Sequence, residues 1–66
     1  MKNRIKVERA ENDMTQADLA VKVGASRQSI NAIEKGKFVP STTLAIKIAR
    51  QFKKPVEEIF IIDESD

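Results

Sequence analysis

Residues 15–37 contain two short helix patterns separated by a glycine, and this arrangement limits the possible folds more than any other feature. Thr15 and Asp18 have the spacing of a capping box, which begins a helix. Gly24 can adopt the left-handed conformation that ends that helix, and Ser26 can cap the next one. Two helices joined so closely cross at a steep angle, and the positions between them need apolar or small side chains. The sequence supplies these at Leu19, Ala20, Val23, Gly24, Ala25, Ile30 and Ile33.

The second helix of this pair carries mostly polar side chains on the face that points away from the first. These outward positions are Ser26, Arg27, Gln28, Asn31, Ala32 and Lys35. All except the alanine form hydrogen bonds, and arginine and glutamine are side chains that pair with guanine and adenine edges in the major groove. The pattern therefore predicts a DNA-binding regulator.

The chain has 66 residues, which is enough for one domain over residues 1–66 with a small hydrophobic core. Cysteine and histidine are both absent, which excludes disulfides, an ordinary zinc site, cysteine nucleophiles and histidine acid–base catalysis. We therefore expect no enzyme activity, catalytic residue, metal or cofactor, and stability that comes from helix packing or dimerisation.

Apolar residues form no long uninterrupted run, and the longest is Ile59–Ile62. Such a run is too short for a signal peptide or a transmembrane helix. The sequence thus predicts a cytoplasmic protein without membrane contact, associated with the nucleoid when bound to DNA.

Charge is strongly segregated, although the net charge is only +2. Residues 22–54 contain eight bases and one acid, a net charge of +7, whereas residues 55–66 contain five acids and no base. Residues 1–21 are balanced, with four of each. A basic middle and an acidic tail are typical of a protein that faces a polyanion on one side, although two solvated helix faces would give the same distribution.

The first part of the chain has a weaker helix pattern than the rest. Residues 3–12 predict a first helix, in which Ile5 and Ala10 indicate an inner face while Val7 and Glu8 interrupt the spacing. The helix should break at Asn12-Asp13, before the second helix begins.

The remaining helices are predicted from caps, breakers and apolar spacing. The third helix should run to about Lys35 and stop at Gly36, and a loop should follow over residues 37–40. Ser41 can cap a fourth helix that ends before Pro55, and residues 56–60 predict one or two turns of a fifth. Apolar residues recur at helical spacing in the fourth helix, at Leu44, Ala45, Ile48, Ala49 and Phe52.

Several of these segments together resemble the Cro/CI-type helix-turn-helix family, also called the Xre family. The carrying residues are Thr15-Gln16-Ala17-Asp18-Leu19-Ala20, Val23-Gly24, Ser26-Arg27-Gln28-Ser29-Ile30, Ile33-Glu34-Lys35-Gly36, Pro40-Ser41, Leu44, Lys47-Ile48-Ala49 and Ile59-Phe60. The chain is also similar to the DNA-binding domains of lambdoid phage repressors. The resemblance implies an all-α, five-helix lambda-repressor-like domain with its helix-turn-helix at residues 16–35, to which a short C-terminal strand can be added.

The family assigns a role to each exposed position of the motif, with the third helix in the major groove. By position, the base-reading residues are Arg27, Gln28, Asn31 and Ala32, of which the alanine can touch only a thymine methyl group. For Arg27 and Asn31, a phosphate contact is the alternative. The phosphate-binding residues are Gln16, Ser26, Ser29, Lys35 and Lys37. For Ser26 and Ser29, capping or stabilising their own helix is the alternative role.

Family resemblance also explains Glu34, the one acid in the basic segment. It implies an internal ion pair with Arg9 that ties the first helix to the end of the third; an exposed acid at a helix end is the alternative. The chain departs from the family at Glu8, where relatives often carry leucine, with an apolar residue displaced to Val7. We therefore expect the first helix to be rotated or locally exposed.

The predicted function is repression of transcription by a homodimer bound to a palindromic operator in double-stranded DNA. The length and the isoleucine-rich tail resemble small homodimeric regulators, and the predicted dimer interface is Val56, Ile59, Phe60, Ile61 and Ile62. Alternatively, Ile61 and Ile62 pack against the first helix of the same chain. The main functional alternative is the antitoxin of a toxin–antitoxin pair, with a partner protein on the acidic tail; a domain that only dimerises is another. No small-molecule effector is evident.

Overall fold

The computed structural model describes all 66 residues, which form five helices and two short strands. In chain order these are β1 (Lys2–Asn3), α1 (Ile5–Glu11), α2 (Gln16–Val23), α3 (Arg27–Glu34), α4 (Thr42–Gln51), α5 (Val56–Ile59) and β2 (Phe60–Ile61). The five-helix fold and the C-terminal strand expected from the sequence are confirmed. The first helix is shorter than the predicted residues 3–12, because the chain before Ile5 is extended and forms β1.

Side-chain caps begin three of the helices, as their sequences predict. The capping box is complete: Thr15 Oγ1 accepts the N–H of Asp18 at 3.0 Å, and Asp18 Oδ2 accepts the N–H of Thr15 at 3.0 Å. Hydrogen bonds from the backbone N–H and the hydroxyl of Thr15 to the carboxylate lower the pKa of Asp18 below its ordinary value. Ser26 and Ser41 each accept a hydrogen bond from the backbone N–H three residues later, at 3.0 and 3.2 Å. The beginnings of α2, α3 and α4 are therefore determined locally.

The turn between α2 and α3 depends on Gly24, which has the predicted left-handed conformation with φ at +71°. A Cβ added there would meet no atom within 4 Å, so the backbone conformation alone favours glycine. The next residue closes the turn, because Ala25 N–H donates to the carbonyl of Ala20 at 2.9 Å. Only three residues therefore separate α2 from α3.

The hydrophobic core contains residues from all five helices and from β2. Its eleven buried members are Ile5, Leu19, Ala20, Val23, Ile30, Ile33, Ile48, Ala49, Phe52, Ile59 and Phe60. α2 packs against both α3 and α4, so the helix-turn-helix pair rests on the longest helix of the chain. The apolar positions predicted between α2 and α3 are buried, apart from exposed Gly24 and half-buried Ala25.

α1 faces the core with a different set of residues from the one expected. Ile5 is buried as predicted, but Ala10 is exposed, so its assignment to the inner face was wrong. Glu8, three residues after Ile5, takes the inward position itself, while Val7 is exposed. The helix is therefore not rotated to bury Val7, because a partner neutralises the buried acid.

The partner of Glu8 is Lys54, in the turn between α4 and α5. Lys54 Nζ donates to Glu8 Oε2 at 2.6 Å, and the two side chains are 39% and 2% exposed, respectively. This hydrogen bond raises the pKa of Lys54. A buried carboxylate is tolerated only when it is paired, so this ion pair permits an acid in the core.

The two strands join the ends of the chain in an antiparallel pair. Lys2 lies opposite Ile61 and Asn3 lies opposite Phe60. Just beyond the strands, Arg4 N–H donates to the carbonyl of Ile59 at 2.8 Å. The C-terminal strand therefore pairs with the extended N-terminus, a partner that local sequence does not predict. No helix in the structure is long and apolar enough to cross a membrane.

Candidate nucleic-acid interface

α3 presents a mostly polar face because its two isoleucines lie on the opposite side, in the core. Ile30 and Ile33 are buried, whereas Arg27 and Gln28, in the first turn, are exposed. Ser26 caps this turn, so the exposed arginine and glutamine project from the beginning of the helix. Both side chains extend from a capped helical turn and are free to form hydrogen bonds with a ligand.

Asn31, one helical turn further along, is held by the beginning of α2. Gln16 Nε2 donates to Asn31 Oδ1 at 3.2 Å and to Glu34 Oε1 at 3.3 Å. Both amides are half-buried. The structure thus brings together a residue predicted to bind phosphate and a residue predicted to read bases, and the Asn31 amide N–H groups remain available to a ligand.

The ion pair that the resemblance implied lies directly behind this amide pair. Arg9 Nε and Nη2 donate to Glu34 Oε2 and Oε1, at 2.6 and 2.9 Å. The side chains are only 14% and 7% exposed, and Arg9 Nη1 also donates to the carbonyl of Met14 at 3.0 Å. The hydrogen bonds from Arg9 to Glu34 raise the pKa of Arg9, although burial acts in the opposite direction. Arg9 therefore links the beginning of α2 to the end of α3.

The predicted serine residues are occupied within the chain. Besides accepting the N–H of Ser29, Ser26 Oγ donates to Ser29 Oγ at 2.9 Å. Ser29 is half-buried and Ser26 is exposed. Ser26 therefore caps α3 and the Ser29 hydroxyl accepts a hydrogen bond from that cap, so any phosphate contact would be additional to these roles.

The end of α3 carries the remaining predicted contacts. Ala32 is half-buried, while Lys35 and Lys37 are exposed and form no ion pair. Lys37 N–H donates to the carbonyl of Ala32 at 3.0 Å, which holds the backbone after the helix close to its last turn. Both lysine side chains are free to contact an anion.

An open depression lies beside the first turn of α3 and is lined by residues of the first three helices and their connections. The lining residues are Arg9, Ala10, Asp13, Met14, Thr15, Gln16, Ala17 and Arg27. Gln16 and Arg27, assigned to phosphate and to base, therefore border the same concave surface. No cluster of acidic side chains in the chain could hold a metal ion.

The residues predicted at the dimer interface fall into two groups. Ile59 and Phe60 are buried in the core of their own chain, so they offer almost no surface to a second copy, and Val56 is half-buried. In contrast, Ile61 and Ile62 are 43% and 76% exposed. Pairing with β1 turns Phe60 inward and Ile61 outward, and Ile62 lies beyond the end of β2.

Sequence reasoning missed two features of the structure. Asn3 Nδ2 donates to the carbonyl of Ile33 in the last turn of α3, at 2.8 Å. A second basic group, with Lys22, Lys47 and Arg50, borders a hollow between α2 and α4. The excess of basic residues in the middle of the chain indicated more cations than α3 could carry, whereas no local signal indicated the contact of Asn3.

Comparison with known proteins gives similarity over nearly the whole chain. The profile of the helix-turn-helix family matches residues 5–59. An uncharacterised HTH-type transcriptional regulator of Methanocaldococcus jannaschii is 53% identical over 66 residues, covering all of both chains. Another, of Archaeoglobus fulgidus, is 52% identical over 66 residues, which is all of this chain and 93% of the relative. The uncharacterised HTH-type transcriptional regulator YgzD of Bacillus subtilis is 42% identical over 66 residues, covering all of both chains.

Proposed function

Because the chain belongs to the Xre-type helix-turn-helix family of DNA-binding transcriptional regulators, we propose that it is a repressor that binds a palindromic operator as a homodimer. α3 of each copy enters the major groove with its first turn leading. The observation that carries this proposal is the exposed first turn of α3, where Arg27 and Gln28 project beside the Gln16–Asn31 amide pair.

The proposal divides the exposed side chains into two kinds of contact. Arg27 forks onto guanine and Gln28 pairs with adenine, and Asn31 reads a further base edge. Ala32 contacts a thymine methyl group. The phosphate contacts come from the flanks of the helix, at Gln16, Ser26, Ser29, Lys35 and Lys37. Such contacts fix the register of the protein on the duplex, while base contacts provide the specificity.

Two copies are proposed because one recognition helix reads only a few base pairs. A palindrome whose half-sites lie about one helical turn apart doubles the information read. Ile61 and Ile62 support this proposal, because adjacent exposed isoleucines are apolar surface of the kind that interfaces cover. Val56 lies close by in the sequence, so the proposed interface consists of these three residues.

Repression follows from occupancy of the operator, since a dimer on a promoter excludes polymerase from the same DNA. The protein would act in the cytoplasm, where its DNA target lies. Dissociation would then depend on protein concentration, a partner protein or salt, because each phosphate contact releases counterions.

Selection of binding sites from random DNA with the full chain tests the proposal. We expect a palindromic consensus, and Gln28→Ala should relax preference at one position of each half-site by about 1–3 kcal/mol. Light scattering should show dimers at micromolar concentration. Selection of no consensus would overturn sequence-specific binding, and a monomer would overturn the homodimer.

The phosphate contacts have a separate test with a matched control. Lys37→Ala should weaken binding to all sites alike and reduce the slope of log affinity against log salt by about 1. Lys47→Ala removes the same charge from an exposed lysine that lies in the hollow between α2 and α4. It should leave that slope nearly unchanged. Equal effects of the two substitutions would contradict the assignment of Lys37.

A further inference from the structure

Asn3 contacts three parts of the molecule at once. Its side-chain Nδ2 donates to the carbonyl of Ile33, 30 residues away in the last turn of α3, at 2.8 Å. Its Oδ1 accepts the N–H of Ile5 at 3.3 Å, where α1 begins. Its backbone belongs to β1 and lies opposite Phe60 in β2. One residue therefore joins the end of the recognition helix to the C-terminal strand.

Neighbouring contacts hold the same segment on both sides. Arg4 N–H donates to the carbonyl of Ile59, and the amino group of Met1 lies 3.1 Å from Asp66 Oδ1. These two contacts attach residues 1–4 to the C-terminal segment. On the other side, Arg9 is paired with Glu34 at the end of α3. The N-terminal segment is thus fixed between the proposed dimer surface and the recognition helix.

We propose that Asn3 is a positioning residue that sets which half-site spacing the dimer accepts. This inference rests on the proposed function, since it needs a dimer formed near β2 and a helix α3 in each major groove. The hydrogen bond fixes the last turn of α3 relative to β2, and thereby relative to the two-fold axis of the dimer. Arg27 and Gln28 contact bases from the opposite end of α3, so a small tilt at the last turn displaces these two side chains at the DNA.

The size of this displacement follows from helix geometry. Eight residues at 1.5 Å per residue give a length of about 12 Å, so a tilt of about 5° at one end moves the other by about 1 Å. Hydrogen bonds to bases require donor and acceptor within a few tenths of an ångström of ideal distance. Loss of this hydrogen bond leaves α3 held by buried Ile33 and by the Arg9–Glu34 pair but loosens its last turn, so the variant should discriminate less between half-site spacings.

The experiment compares Asn3→Asp with Asn12→Asp in the full chain. Asn3→Asp keeps the side-chain oxygen near Ile5 N–H but removes the donor to Ile33. Asn12 offers a matched control, because its Nδ2 donates to a nearby carbonyl in the preceding helix, that of Glu8, at 2.7 Å. Both substitutions add one negative charge and remove one amide donor.

The probes are palindromic DNA duplexes made from the selected consensus, with half-sites moved by −1, 0, +1 and +2 base pairs. The readout is the ratio of affinities between the preferred spacing and the others, so that uniform charge effects cancel. Asn3→Asp should reduce this ratio by roughly fivefold, the usual contribution of one hydrogen bond. Asn12→Asp should leave the ratio within about twofold of wild type.

The outcomes separate this inference from the proposed function. Unchanged ratios for Asn3→Asp, or equal losses for both variants, overturn the role of Asn3 while operator binding stands. A wild-type chain that forms no dimer or selects no operator overturns the proposed function and this inference with it. Thermal denaturation checks that each variant folds. If Asn3→Asp does not, Asn3→Ser replaces it, because serine is too short to reach Ile33 and should give the same loss of spacing preference.

Discussion

The helix-turn-helix pair and the terminal layer of this protein are stabilised in different ways. In the pair, residues 15–37, caps and turns connect residues three to five apart, and apolar side chains fill the space between α2 and α3. In the terminal layer, residues 1–9 together with residues 53–62, the principal contacts connect distant parts of the chain. Glu8 and Lys54 are 46 residues apart, and β1 pairs with β2 at opposite ends.

α1 shows what this difference means for the fold. Its adjacent residues Glu8 and Arg9 form ion pairs in two directions, the first with Lys54 before α5 and the second with Glu34 at the end of α3. A short helix with one buried apolar anchor, Ile5, is thus held mainly by charges. The terminal layer should consequently respond to loss of single charges, and the helix-turn-helix pair to changes of backbone conformation.

The largest expected effect is loss of Arg9. Arg9→Met leaves the Glu34 carboxylate, which is 7% exposed, without its partner. Removing one member of a buried pair costs about 3 kcal/mol in the free energy of unfolding. Urea denaturation measures the change, with exposed Arg4→Met as the control. A double-mutant cycle of Arg9→Met with Glu34→Gln isolates the coupling energy between the two side chains. A coupling energy near zero would show that the ion pair does not stabilise the fold.

Lys54→Met should also destabilise the chain, because it leaves the Glu8 carboxylate, which is 2% exposed, without its partner. The loss should be smaller than for Arg9→Met, since the Lys54 side chain makes one hydrogen bond whereas that of Arg9 makes three. Adding Glu8→Leu should restore stability to the wild-type level or above it, since an apolar pair avoids the desolvation cost. Thermal denaturation of the single and double variants tests both points. A double variant no more stable than Lys54→Met alone would show that the cost did not come from the unpaired acid.

The same ion pair predicts a pH dependence. The pKa of Lys54 is raised above its ordinary value of 10.5 by the hydrogen bond with Glu8. Its contribution to stability should therefore be complete below that pH and decline as the pH rises through the higher pKa of the folded state. Lys54→Met should remove this alkaline decline. Denaturation of wild type and Lys54→Met at pH 8 to 11.5 measures this difference. An identical alkaline loss of stability in the two proteins would contradict the prediction.

In the helix-turn-helix pair, Gly24→Ala should cost about 1 kcal/mol in the free energy of unfolding. The φ angle of +71° is unfavourable for alanine, while no atom lies within 4 Å of the added Cβ. The cost is therefore one of backbone conformation alone. Gly24→Asn is the matched variant, because asparagine tolerates this region better and should lose less stability. An equal loss for both would indicate a steric cause.

The smallest effect is expected at the exposed cap of α2. Hydrogen bonds from the N–H and hydroxyl of Thr15 lower the pKa of Asp18 below its ordinary value of 3.8. The stability that these hydrogen bonds add is present when the pH is above 3.8. It is lost as the pH falls through the lower pKa of Asp18 in the folded state. Asp18→Asn should therefore be less stable than wild type at pH 7 but lose less when the pH is lowered to 2.5. If wild type and Asp18→Asn lost the same amount of stability between pH 7 and pH 2.5, this prediction would be contradicted.

Most of the fold could be predicted because its signals are local. Ser26, Gly24 and Ser41 mark helix boundaries through their own conformational and hydrogen-bonding preferences, and Ile48 and Ala49 mark a buried face by spacing. The candidate site followed from the same signals, since the apolar face of α3 identifies its polar face by exclusion. α1 was less predictable: Glu8 reads as a solvent-facing residue until its partner Lys54 is known.

By itself, the sequence determined five helices, the turn at Gly24 and the exposure of Arg27 and Gln28, because these depend on contacts between residues close in the chain. Only the tertiary structure decided that Phe60 belongs to the core, that Glu8 is buried, and that Asn3 contacts the end of α3. Each of these depends on which distant segments meet. Packing of the whole chain decides which distant segments meet, so the conformational preferences of neighbouring residues do not predict these contacts.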